Sequence, residues 1–304
     1  MSSKQIRHVL NLSPQEQESF VQSFDCVICD CDGVLWTVYE PIPGVADTLA
    51  ALRSRGKMLR YITNNGVRSF ENYAKQFRSL GVNLETSDIV HPALSVVRHF
   101  RSINFQGLIY CIATEMFKTV LRDAGFELLD GPSDPLEESF KKIVATINDH
   151  APVRAVVIDT DFNINYPKLL RAELYLKNDP DCLLIAGATD KLLHAKRGFI
   201  LIGPGLFLGV LEQATGRKAI ALGKPGTSLA EQVLDHYGIE DPRRVLFIGD
   251  MPEQDMLFAT RCGFQKLLVL SGGTNLEDML KLTDPECIPD YYADSLGDLV
   301  KLLD

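Results

Sequence analysis

The feature that most constrains the fold is a repeated alternation. Short, almost wholly apolar runs are followed by segments whose apolar residues recur at helical spacing. Such runs are strands buried on both faces, and the segments between them supply the crossovers that parallel pairing requires. Residues 27–29, Val-Ile-Cys, form the first run. Val45, Leu49 and Leu52 then repeat at helical spacing up to Gly56, a C-terminal stop, and 59–62 is the next strand. Ser69 caps a predicted helix carrying Phe70, Tyr73, Phe77 and Leu80, which Gly81 ends. A second block follows, with strands expected at 108–112, 155–158, 183–186 and 199–202 and helices over 116–124, 168–177 and 205–214. The first pattern resumes with strands at 220–222, 245–248 and 267–270, separated by helices over 229–236 and 256–262. The economical reading is one discontinuous α/β domain, residues 1–103 and 219–304, with a second α/β module, 104–218, inserted into it.

A chain of 304 residues has ample interior for this plan. Its 46% hydrophobic and 23% charged residues are those of a globular protein rather than a disordered one. The formal net charge of -9 argues against a broad nucleic-acid surface, yet leaves room for a small anionic ligand wherever a metal or a few donors reverse the field locally. No apolar stretch approaches the roughly 20 residues of a membrane span. The polar segment 1–18 lacks the apolar core of a secretory leader. Seven scattered cysteines read as reduced thiols, and the expected compartment is the cytosol. Cys26 and Cys29 form a C-x-x-C, but the residues between them are strand interior.

Polar residues fall at four strand ends. The run 27–29 leads into Asp30, 59–62 into Thr63, 220–222 into Gly223 and Lys224, and 245–248 through Gly249 into Asp250. In open parallel sheets ligands bind at the carboxyl ends of the strands, so these four segments are expected to share one site. Two carboxylates held close together repel, and a hard divalent cation such as Mg²⁺ between them offsets that cost. In this reading Asp30 and Asp250 are side-chain ligands and Asp32 lends its backbone carbonyl. Lys224 and the Thr63 hydroxyl hold phosphate oxygens, and Gly33 permits the tight loop after Asp30.

The stretch Asp30-Cys31-Asp32-Gly33-Val34-Leu35-Trp36 resembles the first motif of the haloacid dehalogenase superfamily of phosphatases. Thr63-Asn64-Asn65 is similar to its second motif, Gly223-Lys224-Pro225 to its third, and Gly249-Asp250 with Asp255 to its fourth. The resemblance covers nearly the whole chain. It is nearest the branch containing 4-nitrophenylphosphatase, phosphoglycolate phosphatase and pyridoxal phosphatase. It implies a Rossmann-like parallel-sheet core with an inserted α/β type 2 cap. It also implies a Mg²⁺-dependent phosphomonoester hydrolase acting on small phosphorylated metabolites through an aspartyl-phosphate, with homodimerisation through the caps. Residue by residue, it makes Asp30 the nucleophile and Asp32 the general acid and base. Asp250 becomes a metal ligand, Asp255 orients the metal shell, and Thr63, Asn64, Asn65 and Lys224 grip the phosphate. A cap histidine of the pyridoxal phosphatases makes His194 a candidate for substrate contact.

Other readings stay open beside these. Asp255 is also placed to cap a helix, Asn64-Asn65 to form a turn, and His194 to sit on an exposed loop. Trp36 reads as packing, and Cys31, between the two aspartates, as packing or an oxidation-sensitive thiol. Gly203-Pro204-Gly205 has the wrong spacing for a dinucleotide loop. After Asp250 the chain reads Met251-Pro252-Glu253-Gln254, where relatives commonly carry Arg and Thr, and the segment before Asp190 lacks their Asn; both departures bear on substrate identity. Two alternative functions are a phosphoprotein phosphatase and a non-catalytic metabolite sensor or scaffold on the same fold.

Overall fold

The computed structural model describes residues 6–37, 40–196 and 199–303, with the backbone alone for 194–196. In chain order the first strands are β1 (Arg7–His8) and β2 (Cys26–Cys29). A short hairpin follows, β3 (Trp36–Thr37) and β4 (Glu40–Pro41), then β5 (Met58–Ile62) and β6 (Ile89–Val90). Next come β7 (Leu108–Ile112), β8 (Leu128–Asp130), β9 (Val153–Ile158) and β10 (Leu183–Ala186), then an antiparallel pair, β11 (Leu192–Lys196) and β12 (Phe199–Ile202), and β13 (Ile220–Ala221). The last strands are β14 (Val245–Gly249), β15 (Gln265–Val269) and β16 (Tyr291–Ala293).

These strands build two main sheets. A seven-stranded sheet has the order β1-β16-β15-β14-β2-β5-β6, and a five-stranded one the order β13-β10-β9-β7-β8. Every pairing in both is parallel. The wholly apolar strands have a direct cause: helices cover both faces of each sheet, so alternate residues enter different cores. Val27 and Cys29 join the cluster on one face of the first sheet, and Cys26 and Ile28 the cluster on the other. Ile109 and Cys111 against Tyr110 and Ile112 do the same in the second sheet. The predicted caps form: Ser69 accepts from Asn72 N at the start of the helix Phe70–Ser79, and Gly56 and Gly81 follow their helices at φ 72° and 70°.

The sequence reading goes astray at 220–222. That run was expected to return the chain to the first block, but β13 pairs with β10 in the five-stranded sheet, and Leu222 N continues the ladder to Ala186 O at 2.8 Å. Its two residues are half-buried and carry no marker of which sheet edge they complete, so only pairing decides. The helix Pro92–Ser102, absent from the sequence reading, also packs on the second sheet, through Ala93, Val96, Val97 and Phe100. We propose the two-module division on these sheets, with both connecting segments packed on the second. Among the described residues no helix is long and apolar enough to cross a membrane.

One buried group sits where β6 enters that helix. His91 is 6% exposed, stacks on Tyr73 with centroids 6.4 Å apart, and leaves Nδ1 without a hydrogen-bond partner. Burial, helped by the Arg98 charge, pulls its pKa from 6.5 down to about 4. The unfolded chain takes up a proton near pH 6.5 that the folded chain refuses until about pH 4. Stability is therefore intact above pH 6.5 and falls between those values, by roughly 3 kcal/mol for this group. Urea unfolding across that window should show a shallower loss for His91→Phe than for the wild type; identical slopes would contradict the assignment.

Candidate active site

Asp30 follows β2 and Asp250 follows β14, and these strands are neighbours at the point where the sheet's connections diverge to either side. Such a switch point opens a crevice at the carboxyl ends of its strands. The tight loop after β2 is turned by bonds from Leu35 N to Cys31 O (2.8 Å) and Gly33 N to Trp36 O (2.8 Å). Gly33 is required twice over: its φ is 84°, and a Cβ there would lie 2.5 Å from Asp250 Oδ2. Gly272 presses on the same carboxylate, and Gly273 N donates to Asp250 Oδ2 at 2.6 Å. The Gly272-Gly273 pair after the 267–270 strand was the sequence signal for this second wall, and it went unread.

Lys224 comes from the segment after β13, so the site lies in the seam between the two sheets rather than at the ends of one. Its Nζ is 2.8 Å from Asp30 Oδ1 and 2.6 Å from Asp255 Oδ1, with the side chain 2% exposed. Asp255 lies in the short turn Pro252–Met256; its other oxygen accepts from Asp250 N (3.0 Å) and Met251 N (2.9 Å). It thus ties down the loop that carries Asp250 while holding the lysine. Asp30, Asp250 and Asp255 each place one oxygen within 4.8 Å of the others.

Burial pushes Asp30 well above the usual carboxylate range; Lys224 opposes the shift, and Asp255 and Asp250 reinforce it. Burial, then Asp255, takes Asp250 to about 7. Burial pulls Lys224 down, but Asp255 and Asp30 more than reverse that and hold it raised and charged. Were all three carboxylates ionised, the one ammonium would leave two negative charges uncompensated, and the raised Asp30 and Asp250 reflect that cost. Hard oxygen donors, convergent geometry and that surplus fit a divalent cation of the Mg²⁺ or Ca²⁺ type. A second cluster, His8, Asp294 and Asp298, does not fit one. His8 Nδ1 accepts from Leu10 N, so the ring proton sits on Nε2 and faces Asp294.

The second-motif residues divide their tasks. Thr63 is buried and its hydroxyl accepts from Asn65 N at 3.1 Å. Asn64 does not point at the carboxylates. Its Oδ1 accepts from Lys224 N (2.7 Å), and its Nδ2 donates to Lys224 O (2.9 Å) and to Asp190 Oδ2 (2.8 Å). Its side-chain amide bolts the lysine segment and the second module to the first. Asp190 is pushed up to about 6 by burial, against the pull of Lys224 and Asn64. Asn65 Nδ2 reaches Asp32 Oδ2 at 3.0 Å.

Asp32 stands apart from the buried cluster. Its side chain is 35% exposed, and its Oδ1 accepts from Arg68 Nη1 (2.7 Å) and from Trp36 Nε1 (3.0 Å). The sequence signals neither donor: Trp36 reads as packing rather than catalysis, and a single arginine three residues after Asn65 carries no mark of its partner. Cys31 is fully buried and its thiol is pushed far up, first by burial and then by its aspartate neighbours, so it packs and is not a reactive thiolate. His194 lies on β11 opposite Ile200, and its side chain is outside the described residues.

Two family models match the chain, a haloacid dehalogenase-like hydrolase over residues 27–127 and a HAD-hydrolase-like one over 221–299. Phosphoglycolate phosphatase 2 of Arabidopsis thaliana is 34% identical over 96% of this chain and 98% of its own. Glycerol-3-phosphate phosphatase of Rattus norvegicus is 31% identical over 97% and 95%. Among solved structures, a glycerol phosphate phosphatase from Mycobacterium tuberculosis in complex with magnesium superposes with a TM-score of 0.71. That match has 25% identity and covers 93% of this chain and 79% of the other. The chain belongs to the haloacid dehalogenase-like hydrolases, and within them to the phosphatases.

If the three carboxylates hold a divalent cation, Mg²⁺ at a hundredfold excess over its Kd raises the unfolding free energy by roughly 3 kcal/mol. Thermal melts with EDTA and with Mg²⁺ should differ by several degrees for the wild type and coincide for Asp250→Asn; equal shifts in both proteins would rule the site out.

Proposed function

We propose that this chain is a Mg²⁺-dependent phosphomonoester hydrolase that passes the phosphoryl group through Asp30. The observation that carries the reading is the buried Asp30 carboxylate 2.8 Å from Lys224 Nζ, within 4.8 Å of two further carboxylates. Asp30 and Asp250 would hold the cation together with the Asp32 backbone carbonyl, and Asp255 would orient that set. When bound, the cation would supply positive charge that offsets the repulsion between an anionic ester and an anionic nucleophile.

The chain's own residues then act in order. Lys224, Thr63 and Asn65 hold the phosphate oxygens and align phosphorus with Asp30 Oδ. Asp30 attacks phosphorus while the bond to the leaving alkoxide breaks, and Asp32 supplies the proton that oxygen needs. Water then attacks the aspartyl-phosphate and yields its proton to Asp32. Inorganic phosphate departs, and both carboxylates are as they began. Asp32 is the acid we assign to the leaving oxygen because, at 35% side-chain exposure, it stands outside the buried cluster.

The second module, which forms one side of the seam, restricts access and favours small esters such as phosphoglycolate, glycerol phosphate or pyridoxal 5'-phosphate. Relatives acting on the first two span almost the whole chain, and His194, on the hairpin of that module, is our candidate for substrate contact. Every residue of β12 is exposed although all four are apolar: Phe199 53%, Ile200 53%, Leu201 43% and Ile202 64%. A strand of that kind asks to be covered, which supports a homodimer through this module. All seven cysteines are buried and unpaired, as suits a reducing compartment such as the cytosol.

Asp30→Asn should abolish Mg²⁺-dependent release of phosphate from 4-nitrophenyl phosphate and leave no acid-stable, base-labile phosphoprotein; retained turnover would remove Asp30 from its role. The double variant Ile200→Glu/Ile202→Glu should sediment as a monomer where the wild type sediments as a dimer.

A further inference from the structure

The Asp32 carboxylate is held more completely than a rim acid needs to be. Both its oxygens are engaged, Oδ1 by Arg68 Nη1 at 2.7 Å and Trp36 Nε1 at 3.0 Å, Oδ2 by Asn65 Nδ2 at 3.0 Å. Arg68 is itself confined. Its side chain is 15% exposed, and its guanidinium lies over the Trp36 ring at 5.8 Å and over the Tyr73 ring at 5.9 Å. Tyr73, fully buried, donates its hydroxyl to Asn65 O at 2.7 Å, so the wall that holds Arg68 also fixes the loop carrying Asn65. An arginine making only a surface ion pair would be mobile and screened. One confined by two aromatic rings delivers its planar fork to a single place.

We propose that Arg68 is a positioning residue for the reaction: with Trp36 it fixes the rotamer of Asp32, and so sets where the proton-transferring carboxylate stands relative to the leaving oxygen. This rests on the reading of Asp32 as proton donor and acceptor. It concerns the placement of that carboxylate. The arrangement has a functional logic. Asp30, Asp250 and Asp255 are held by burial and by Lys224, whereas Asp32, at the rim, has no such enclosure and would otherwise sample several rotamers. A carboxylate misplaced by about 1 Å loses much of its benefit as a proton donor.

The role predicts a dependence on leaving group. An alkoxide needs its proton as the bond to phosphorus breaks, and a nitrophenolate hardly does. Arg68→Met keeps the aliphatic stem and removes the fork. It should lower kcat/KM on glycerol phosphate and phosphoglycolate alike, on the order of 10²-fold. The loss on 4-nitrophenyl phosphate should be at least about tenfold smaller, and Arg68→Lys should fall between. Equal losses on all three esters would make Arg68 a phosphate-binding or merely structural residue. A loss confined to phosphoglycolate would make it a receptor for the substrate carboxylate. Either result overturns the proposal.

A second measurement needs no turnover. Trp36 is the only tryptophan, so its indole N–H gives a single resonance. In Arg68→Met that proton should exchange faster with solvent as Asp32 leaves its place, and in Arg68→Lys its exchange should return toward the wild-type rate. Unchanged exchange in Arg68→Met refutes the positioning role whatever the kinetics. If the wild type hydrolyses none of the three esters, the phosphatase mechanism falls, and the indole proton alone then decides whether Arg68 holds Asp32.

Discussion

Three carboxylates, each less than a tenth exposed, share one ammonium group in the interior of this protein. No stability argument favours such a cluster. Taking ions out of water costs several kcal/mol apiece, and hydrophobic residues of like volume would serve folding better. The cluster persists because rigid elements impose it: two adjacent parallel strands deliver Asp30 and Asp250, and a short turn pinned by its own backbone amides delivers Asp255. Raised carboxylates beside a lysine held in its charged form are the electrostatic record of that imposition. The charge that would go unbalanced on ionisation is what would give the site affinity for a cation, as we propose.

The rest of the architecture can be understood as the means of bringing that lysine in. Lys224 does not belong to the sheet that supplies the aspartates. It enters on the strand of chain that leaves the second sheet, and Asn64 fastens its backbone from the first module by a bond in each direction. The same amide reaches Asp190, so the placement of the ammonium and the seating of the second module are mechanically one thing. Thr189 Oγ1 of that module also donates to Lys224 O at 3.1 Å, so movement of the module would be felt at the base of the site.

Asp32 shows the opposite solution. The group we propose to give and take the proton stands outside the cluster with its carboxylate partly in water. Asp32 is only two residues along the chain from Asp30, yet in the loop that turns at Gly33 one carboxylate lies inward and the other at the rim. Position here comes from side-chain donors on the second-motif loop and from Trp36 rather than from enclosure.

Much of this was legible in the residues. Apolar runs such as 27–29 and 245–248 announce strands covered on both sides, because only such strands can dispense with a polar face. The acids and glycines that follow those runs announce a site, because polar groups at buried strand ends must have a use. Ser69, Gly56 and Gly81 mark helix ends through local backbone energetics, and these need no knowledge of distant residues. What only the tertiary structure decided was partnership. Which sheet the two residues of β13 complete, that the Asn64 amide turns toward Lys224 and Asp190, and that Arg68 and Trp36 converge on Asp32 all depend on contacts between segments that no local preference encodes. Propensity and patterning act over a few residues along the chain, and side-chain partners are chosen across space.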